Sequence, residues 1–159
     1  MPQVRLATVA TFPKNYFLEN LAVRADNSVL VTALNHKELW YVPSSPNGAE
    51  VTPRLLFTFP HLAMGIVEAE PDIFYIATSE IYTWVASDLY RLNLNGWALG
   101  KPVHPEAILH FPQPVRGLNG SCVIARGRHS DRRLFWKLDL ACGSQHARWQ
   151  AESQRMAQA

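Results

Sequence analysis

The sequence has few cysteines, little net charge and no long apolar run, and each absence excludes a class of protein. Its 159 residues include only two cysteines, too few for the disulfide framework of a small secreted domain. The formal net charge of +2 is too small to indicate binding to nucleic acid. No stretch of about eighteen apolar residues occurs, so no membrane-spanning helix is expected. We therefore expect neither nucleic acid nor a membrane as a partner.

The N-terminal stretch and the two thiols favour a cytoplasmic location. MPQVRLATVATFPKNYF contains no sustained apolar segment of the kind that a secretion signal requires. Cys122 and Cys142 match no zinc-binding spacing and suit a reducing compartment as free thiols. Hydrophobic residues make up 48% of the chain, which argues against disorder and for a packed core.

What the sequence does contain is a series of short runs rich in β-branched and aromatic residues, separated by polar turns. These runs predict strands. They are SVLVTAL, ELWYVP, RLLFTFP, DIFYIATS, DLYRLNL, SCVIAR and RLFWKLDL. Helical periodicity is nearly absent before residue 140, so we predict an all-β chain with a short helical or disordered C-terminal tail over 144–159.

An internal repeat is the most informative feature. Each unit opens with a polar or glycine step before an apolar strand, and closes on a strand that begins with leucine and an aromatic residue. The opening steps are Asn20, Gly65 and Asn119, and the closing strands begin at Leu39, Leu89 and Leu134. These positions give a period of about 45 residues, and such a period with about four strands per unit is typical of a β-propeller blade. A β-sandwich also has short strands, but it does not require the repeat.

The repeat predicts a single, incomplete propeller domain over residues 1–159. Its units are approximately 18–50, 51–100 and 101–143. The third unit is shorter than the first by about one strand, and a closed propeller typically needs about four blades or more. A partial propeller exposes sheet edges and an apolar side, which favours pairing with a partner.

Several of these segments resemble a known family. FPKNYFLENLAVRADNSVLVT, ELWYVP, EPDIFYIATS and LNG followed by RLFWKLDL resemble the N-terminal half of the SMP-30/gluconolactonase-like six-bladed propellers. The resemblance covers roughly residues 10–140 and is closest to the fungal branch found in natural-product gene clusters. It implies a cyclase of the hetero-Diels–Alder type in specialised (secondary) metabolite biosynthesis, acting without a cofactor on a reactive polyketide or terpenoid substrate.

The resemblance leaves two alternatives open. One is a metal-dependent lactonase, in which Glu19 and Asn119 would contribute oxygen ligands to a Ca²⁺ or Mg²⁺ ion. The same two residues can instead cap strand starts by bonding to nearby backbone N–H groups. The other alternative is a truncated, non-catalytic propeller fragment that self-associates, since two three-bladed chains can close a six-bladed ring as a homodimer.

The candidate site residues follow from the predicted repeat and from the family resemblance. For the cyclase we predict Glu19, Asn20 and Asn119 as catalytic groups at the mouth of the channel. Gly65 and His61 are predicted to contact the small-molecule substrate, because they lie at or just before the second opening strand. Tyr82 and Trp84 fall in an insertion, SEIYTWVAS, and are predicted to form an aromatic wall that binds the substrate.

Overall fold

The computed structural model describes residues 6–81, 87–111, 118–125 and 132–138, and its regular secondary structure consists of β-strands alone. The ten strands are β1 (Leu18–Val23), β2 (Val29–Ala33), β3 (Glu38–Val42), β4 (Arg54–Thr58), β5 (Leu62–Glu70), β6 (Ile73–Ser79), β7 (Ser87–Asn93), β8 (Glu106–Phe111), β9 (Leu118–Ala125) and β10 (Arg132–Leu138). The all-β prediction is confirmed for these residues. No helix in this part of the chain is long and apolar enough to cross a membrane. The predicted tail over 144–159 lies outside the described residues.

The strands form two four-stranded antiparallel sheets and a separate strand pair. The first sheet has the order β1-β2-β3-β4 and the second has the order β5-β6-β7-β8, so that neighbours in sequence are neighbours in space. β9 pairs with β10 in an antiparallel two-stranded sheet. Each of the seven strand-rich runs in the sequence overlaps one of these strands. Of the three remaining strands, β1 and β5 are opening strands of the repeat, and β8 was not predicted.

Each four-stranded sheet ends later than the repeat unit that the sequence predicts. The first sheet extends to Thr58 rather than to residue 50, and the second extends to Phe111 rather than to residue 100. In both sheets the fourth strand follows a long connection, over 43–53 and 94–105, that contains proline and glycine. Such connections resemble the linkers between units, which is why the sequence places the boundaries before these strands.

The core lies between the first two sheets, each of which contributes one apolar face. In an antiparallel pair, residues directly opposite each other share a face. The first sheet contributes Ala22, Leu30, Leu39 and Tyr41, and the second contributes Ala63, Ile66, Phe74, Ile76, Tyr90 and Leu92. All are at most 8% exposed, and Leu30, Leu39, Phe74 and Ile76 are fully buried.

The strand pair β9–β10 lies next to the second sheet, as the second sheet lies next to the first. β5 contacts β1 on the first sheet and also β9, so the opening strands of the three units are neighbours in chain order. β10 contains the closing segment of the third unit, and it pairs directly with the opening strand β9. In the first two units another strand intervenes between these two. Among the described residues, the opening and closing strands of the third unit are therefore direct neighbours, whereas those of the first two units are not.

A buried arginine ties the turn after β1 to the turn after β5. The side chain of Arg24 is 9% exposed, and its Nε donates to Asp72 Oδ1 at 2.8 Å. Its Nη1 lies 3.4 Å from Asp26 Oδ2. The hydrogen bond to Asp72 raises the pKa of Arg24, so the guanidinium stays charged although burial opposes this. The two turns are thus held together by a charge-assisted hydrogen bond between different sheets.

Asp26 should make the stability of the chain sensitive to acid. Its carboxylate accepts hydrogen bonds from the Ser28 hydroxyl and from the Ser28 N–H at 2.9 Å. These bonds, together with Arg24, hold the pKa of Asp26 below its usual value of 3.8. A carboxyl group with a lowered folded-state pKa adds stability above its unfolded pKa, and this stability is lost as the pH falls through the folded value.

We therefore expect Asp26→Asn to reduce the dependence of the free energy of unfolding on pH in the acid range. Between about pH 5 and pH 2, the free energy of unfolding should fall less in Asp26→Asn than in the wild type, as measured by urea denaturation at a series of pH values. Glu106→Gln, at an exposed carboxylate, serves as the control and should follow the wild type. Parallel curves for Asp26→Asn and wild type would contradict this role of Asp26.

Candidate functional site

The three opening strands share a β-bulge near their starts. In each case the register of pairing with the next strand shifts by one residue. The extra residue is Glu19 in β1, Met64 or Gly65 in β5, and Gly120 in β9. A bulge bends its strand and redirects side chains, and bulges are common beside functional sites. The polar opening steps of the sequence therefore mark a backbone feature that the repeats have in common.

The bulge in β9 explains the glycine of the LNG motif. Gly120 has a φ of 70°, a left-handed conformation that glycine adopts without steric cost. Asn119 precedes the bulge and pairs with Lys137, whereas Ser121 is the first residue after it. Asn20 is likewise the first residue after its bulge, so Ser121 rather than Asn119 is the structural counterpart of Asn20.

The polar groups of Asn20 are bound within the fold. Its N–H donates to Thr32 Oγ1 at 3.1 Å, and its Oδ1 accepts from the Leu21 N–H at 2.7 Å. The fully buried Thr32 hydroxyl in turn donates to the Met64 carbonyl at 2.7 Å. This chain of hydrogen bonds joins β1, β2 and β5 next to Gly65. The Asn20 side chain thus bonds to a nearby backbone N–H, which is the role that the sequence left open for Glu19 and Asn119.

His61 lies at the centre of a group of charged and titratable side chains. Its Nδ1 is 3.3 Å from Glu80 Oε1, and its Nε2 is 3.9 Å from Asp88 Oδ2. Asp88 Oδ1 is also 2.7 Å from His110 Nδ1. Lys37 Nζ lies 3.5 Å from Glu80 Oε1 and donates to the Pro60 carbonyl at 2.9 Å. We call Lys37, His61, Glu80, Asp88 and His110 the His61 cluster.

The topology explains why these five residues meet. The β2–β3 turn, the β4–β5 connection, the end of β6 and the start of β7 all lie at one end of the two sheets. Lys37 comes from the first sheet and the other four members come from the second sheet or the residues flanking its strands. The opening bulges lie at the same end, because β1 and β5 begin there. The His61 cluster therefore bridges the two sheets at the end where the opening strands begin.

Buried polar groups extend the cluster toward the core. Thr78 pairs with Asp88 across β6 and β7, is fully buried, and has a hydroxyl without a hydrogen-bond partner among the described residues. Apart from the His61 cluster, the Ser121 hydroxyl on β9 is also buried and without a partner among the described residues. Burial, and to a smaller extent the charge of Asp88, raises the pKa of Tyr90 above its usual value of 10.0. Unpartnered buried hydroxyls are rare, and an ordered water molecule is one common explanation for them.

The remaining predicted site residues are placed as follows. Glu19 is half-buried as the extra residue of its bulge, and Gly65 is buried within β5. Asn119 is half-buried in β9. Tyr82 and Trp84 lie outside the described residues. Among the residues that the structure describes, no three His, Cys, Asp or Glu side chains converge on a point as metal ligands.

Sequence reasoning identified His61 but missed the residues that surround it. Glu80 directly follows one predicted strand and Asp88 begins another, while His110 lies on β8, which was not predicted. One signal was available in the sequence. Ionisable residues at the end of one strand and at the start of the next lie at the same end of an antiparallel sheet. Lys37, in the turn of the preceding unit, carried no such signal.

Comparisons of the chain with protein-family models, with curated proteins and with solved structures give no match. The family resemblance therefore remains a prediction from the sequence. What the described residues show is two four-stranded antiparallel sheets and a further strand pair, without closure into a ring.

Thr32 provides a direct test of the link between the opening strands. Thr32→Val keeps the shape of the side chain but removes the hydroxyl, leaving the Asn20 N–H and the Met64 carbonyl without this partner. We expect the free energy of unfolding to fall by about 1–3 kcal/mol, the usual cost of an unsatisfied buried polar group. Urea denaturation measures the loss. Thr58→Val, on an exposed position at the end of β4, is the matched control and should change stability by less than about 0.5 kcal/mol.

Proposed function

We propose that this chain is part of a β-propeller of the SMP-30/gluconolactonase-like kind. We further propose that it acts in the cytoplasm of a fungus as a cyclase of the hetero-Diels–Alder type in specialised metabolism. The fold assignment is supported by the repeat of about 45 to 50 residues, by four-stranded antiparallel units in sequential order, and by opening strands that contact one another. The common bulge in the three opening strands adds to this, since it marks the same position in each unit.

The observation that carries the proposed activity is the His61 cluster. It combines hydrogen-bond donors on Lys37, His61 and His110 with the carboxylates of Glu80 and Asp88. The side chains of His61, Glu80 and Asp88 are only 14–21% exposed. Donors in a shielded site suit a substrate that presents a carbonyl oxygen on an apolar body.

The proposed reaction requires little covalent chemistry from the protein. In a hetero-Diels–Alder reaction of a quinone methide, its carbonyl oxygen and exocyclic carbon form one C–O and one C–C bond with an alkene, and no group leaves. The protein contributes by holding the two partners in a reactive geometry and by excluding water from the quinone methide. A donor such as the His61 ring or the Lys37 ammonium, placed on the carbonyl oxygen, would withdraw electron density and accelerate the addition.

A metal-dependent lactonase is the second candidate, and one observation favours it. Glu19 is the extra residue of the first bulge, and a bulge redirects a side chain away from the regular alternation of the strand. A carboxylate at such a bulge, together with Asn119, would suit a hard cation such as Ca²⁺ or Mg²⁺, which the hydrolysis of a lactone would employ.

One assay series tests the proposed cyclase. The protein is incubated with a quinone-methide precursor and a terpene alkene, and product yield and stereoselectivity are followed by chiral chromatography. We expect both to rise over the uncatalysed reaction, and His61→Ala to lower the rate by about 10- to 100-fold because a positioned donor is lost. His104→Ala, at an exposed histidine outside the His61 cluster, is the control and should retain the activity.

Two outcomes of that series would count against the cyclase. A product distribution equal to that of the uncatalysed reaction would overturn it, as would full activity in His61→Ala. Hydrolysis of a simple lactone that is abolished by EDTA and by Glu19→Gln would instead support the lactonase.

A further inference from the structure

The N-terminal residues 9–16 lie across the outer face of the first sheet, and we call this segment the strap. The rings of Phe12 and Tyr16 pack edge-on against Trp40 of β3, with centroid separations of 5.6 Å and 5.7 Å. Val31, which pairs with Trp40, is only 7% exposed. The strap therefore covers the middle of this face.

Apolar side chains remain exposed on either side of the strap. The pairing register places Leu21, Val31, Trp40 and Leu55 in one row across the sheet, so these side chains share a face. Leu21 on β1 is 57% exposed and Leu55 on β4 is 48% exposed, whereas Trp40 is half-buried beneath the strap. The strap thus divides one apolar face into two separate edges, and moving it aside would join them into one continuous face.

The two ends of the strap are attached in different ways. At its C-terminal end, the Asn35 side chain accepts from the Phe17 N–H at 2.9 Å and donates to the Asn15 carbonyl at 2.6 Å. Asn15 has a φ of 68°, a left-handed conformation that is typical of a turn. At the N-terminal end, the Val51 N–H donates to the Val9 carbonyl at 2.8 Å. An opening strap would therefore turn at Asn15 and release the amide of Val51.

The closed strap has few buried contacts. Phe12 and Tyr16 are half-buried, and the other residues over 11–15 are exposed. The Thr11 hydroxyl donates to Glu50, but both residues are exposed, so water can replace this bond at little cost. Segments with few buried contacts open at a lower free energy than the core of the same protein.

Closure of the strap also leaves one polar atom without a partner. The ring of Tyr16 stacks on that of His36, with centroids 3.9 Å apart and an angle of 13° between the planes. His36 Nε2 is buried and has no hydrogen-bond partner among the described residues. A buried polar atom of this kind costs free energy, and part of this cost is recovered when Tyr16 moves away and water reaches the ring. His36 therefore lowers the cost of opening.

We propose that the strap is a cover that opens while the two sheets stay folded, and that it controls the exposure of the outer face of the first sheet. The core between the sheets lies on the opposite face, where Leu30 and Leu39 are fully buried, so opening leaves it intact. While closed, the strap keeps the outer face from becoming one large apolar patch, which would promote association. The inference rests neither on the propeller assignment nor on the proposed activity.

Native-state hydrogen exchange of the full chain at low urea concentrations tests the opening. We expect the Val51 amide to exchange through an opening that depends little on urea, whereas the slowest amides of β2 exchange only on global unfolding. Leu30→Ala weakens the core, which is the same whether the strap is open or closed. It should therefore speed exchange in β2 and leave Val51 at the wild-type rate.

A strap variant provides the complementary test. Phe12→Ser/Tyr16→Ser removes both aromatic contacts with Trp40 and should speed exchange at Val51 by about 10-fold or more. It should also bind more of the dye ANS, which reports exposed apolar surface. Phe17→Ser is the matched control, since the Phe17 side chain is already 57% exposed, and it should behave as the wild type in both measurements.

Two results would overturn the proposal. One is exchange at Val51 that has the full urea dependence of β2 or accelerates in Leu30→Ala, because the strap would then open only with the whole fold. The other is a double variant that is folded by far-UV circular dichroism but exchanges Val51 at the wild-type rate, or binds no more ANS than Phe17→Ser.

Discussion

The first and second sheets each bury one apolar face against the other, and this contact positions the other features of the chain. Leu30 and Leu39 on one side and Phe74 and Ile76 on the other are completely shielded from water. Burying a side chain of this size contributes about 1.5–3 kcal/mol, so the contact outweighs any single polar interaction in the fold. Because the sheets are held face to face, Lys37 of the first sheet reaches the carboxylate of Glu80 beside the second.

Polar contacts at both ends of the interface fix how the two sheets are aligned. At one end Arg24 binds Asp72, and toward the other the Thr32 hydroxyl binds the Met64 carbonyl. Apolar packing alone is non-directional and tolerates sliding, whereas a buried hydrogen bond is lost if the sheets shift. The contact of Lys37 with Glu80 depends on this alignment, since Lys37 is the member of the His61 cluster that the first sheet supplies.

The elements with a strong local pattern could be predicted from the sequence, and those defined by long-range pairing could not. RLLFTFP and DIFYIATS have the composition and length of strands, and both form strands. β8 carries no comparable signal, because its residues 106–110 are all exposed and no face is required to be apolar. His61 was singled out by its position before an opening strand. Its neighbours Asp88 and His110 could not be, because only the pairing of β7 with β8 brings them together.

The central claim is that the first two sheets fold as one unit through their shared core. Amide hydrogen exchange followed residue by residue tests it most directly, in the wild type and in Leu30→Ala, which removes core volume from the first sheet alone. The packing described here predicts that the slowest amides of β2 and β6 have the same free energy of opening, and that Leu30→Ala lowers both by the same amount. Faster exchange confined to the first sheet, with β6 unchanged, would contradict it.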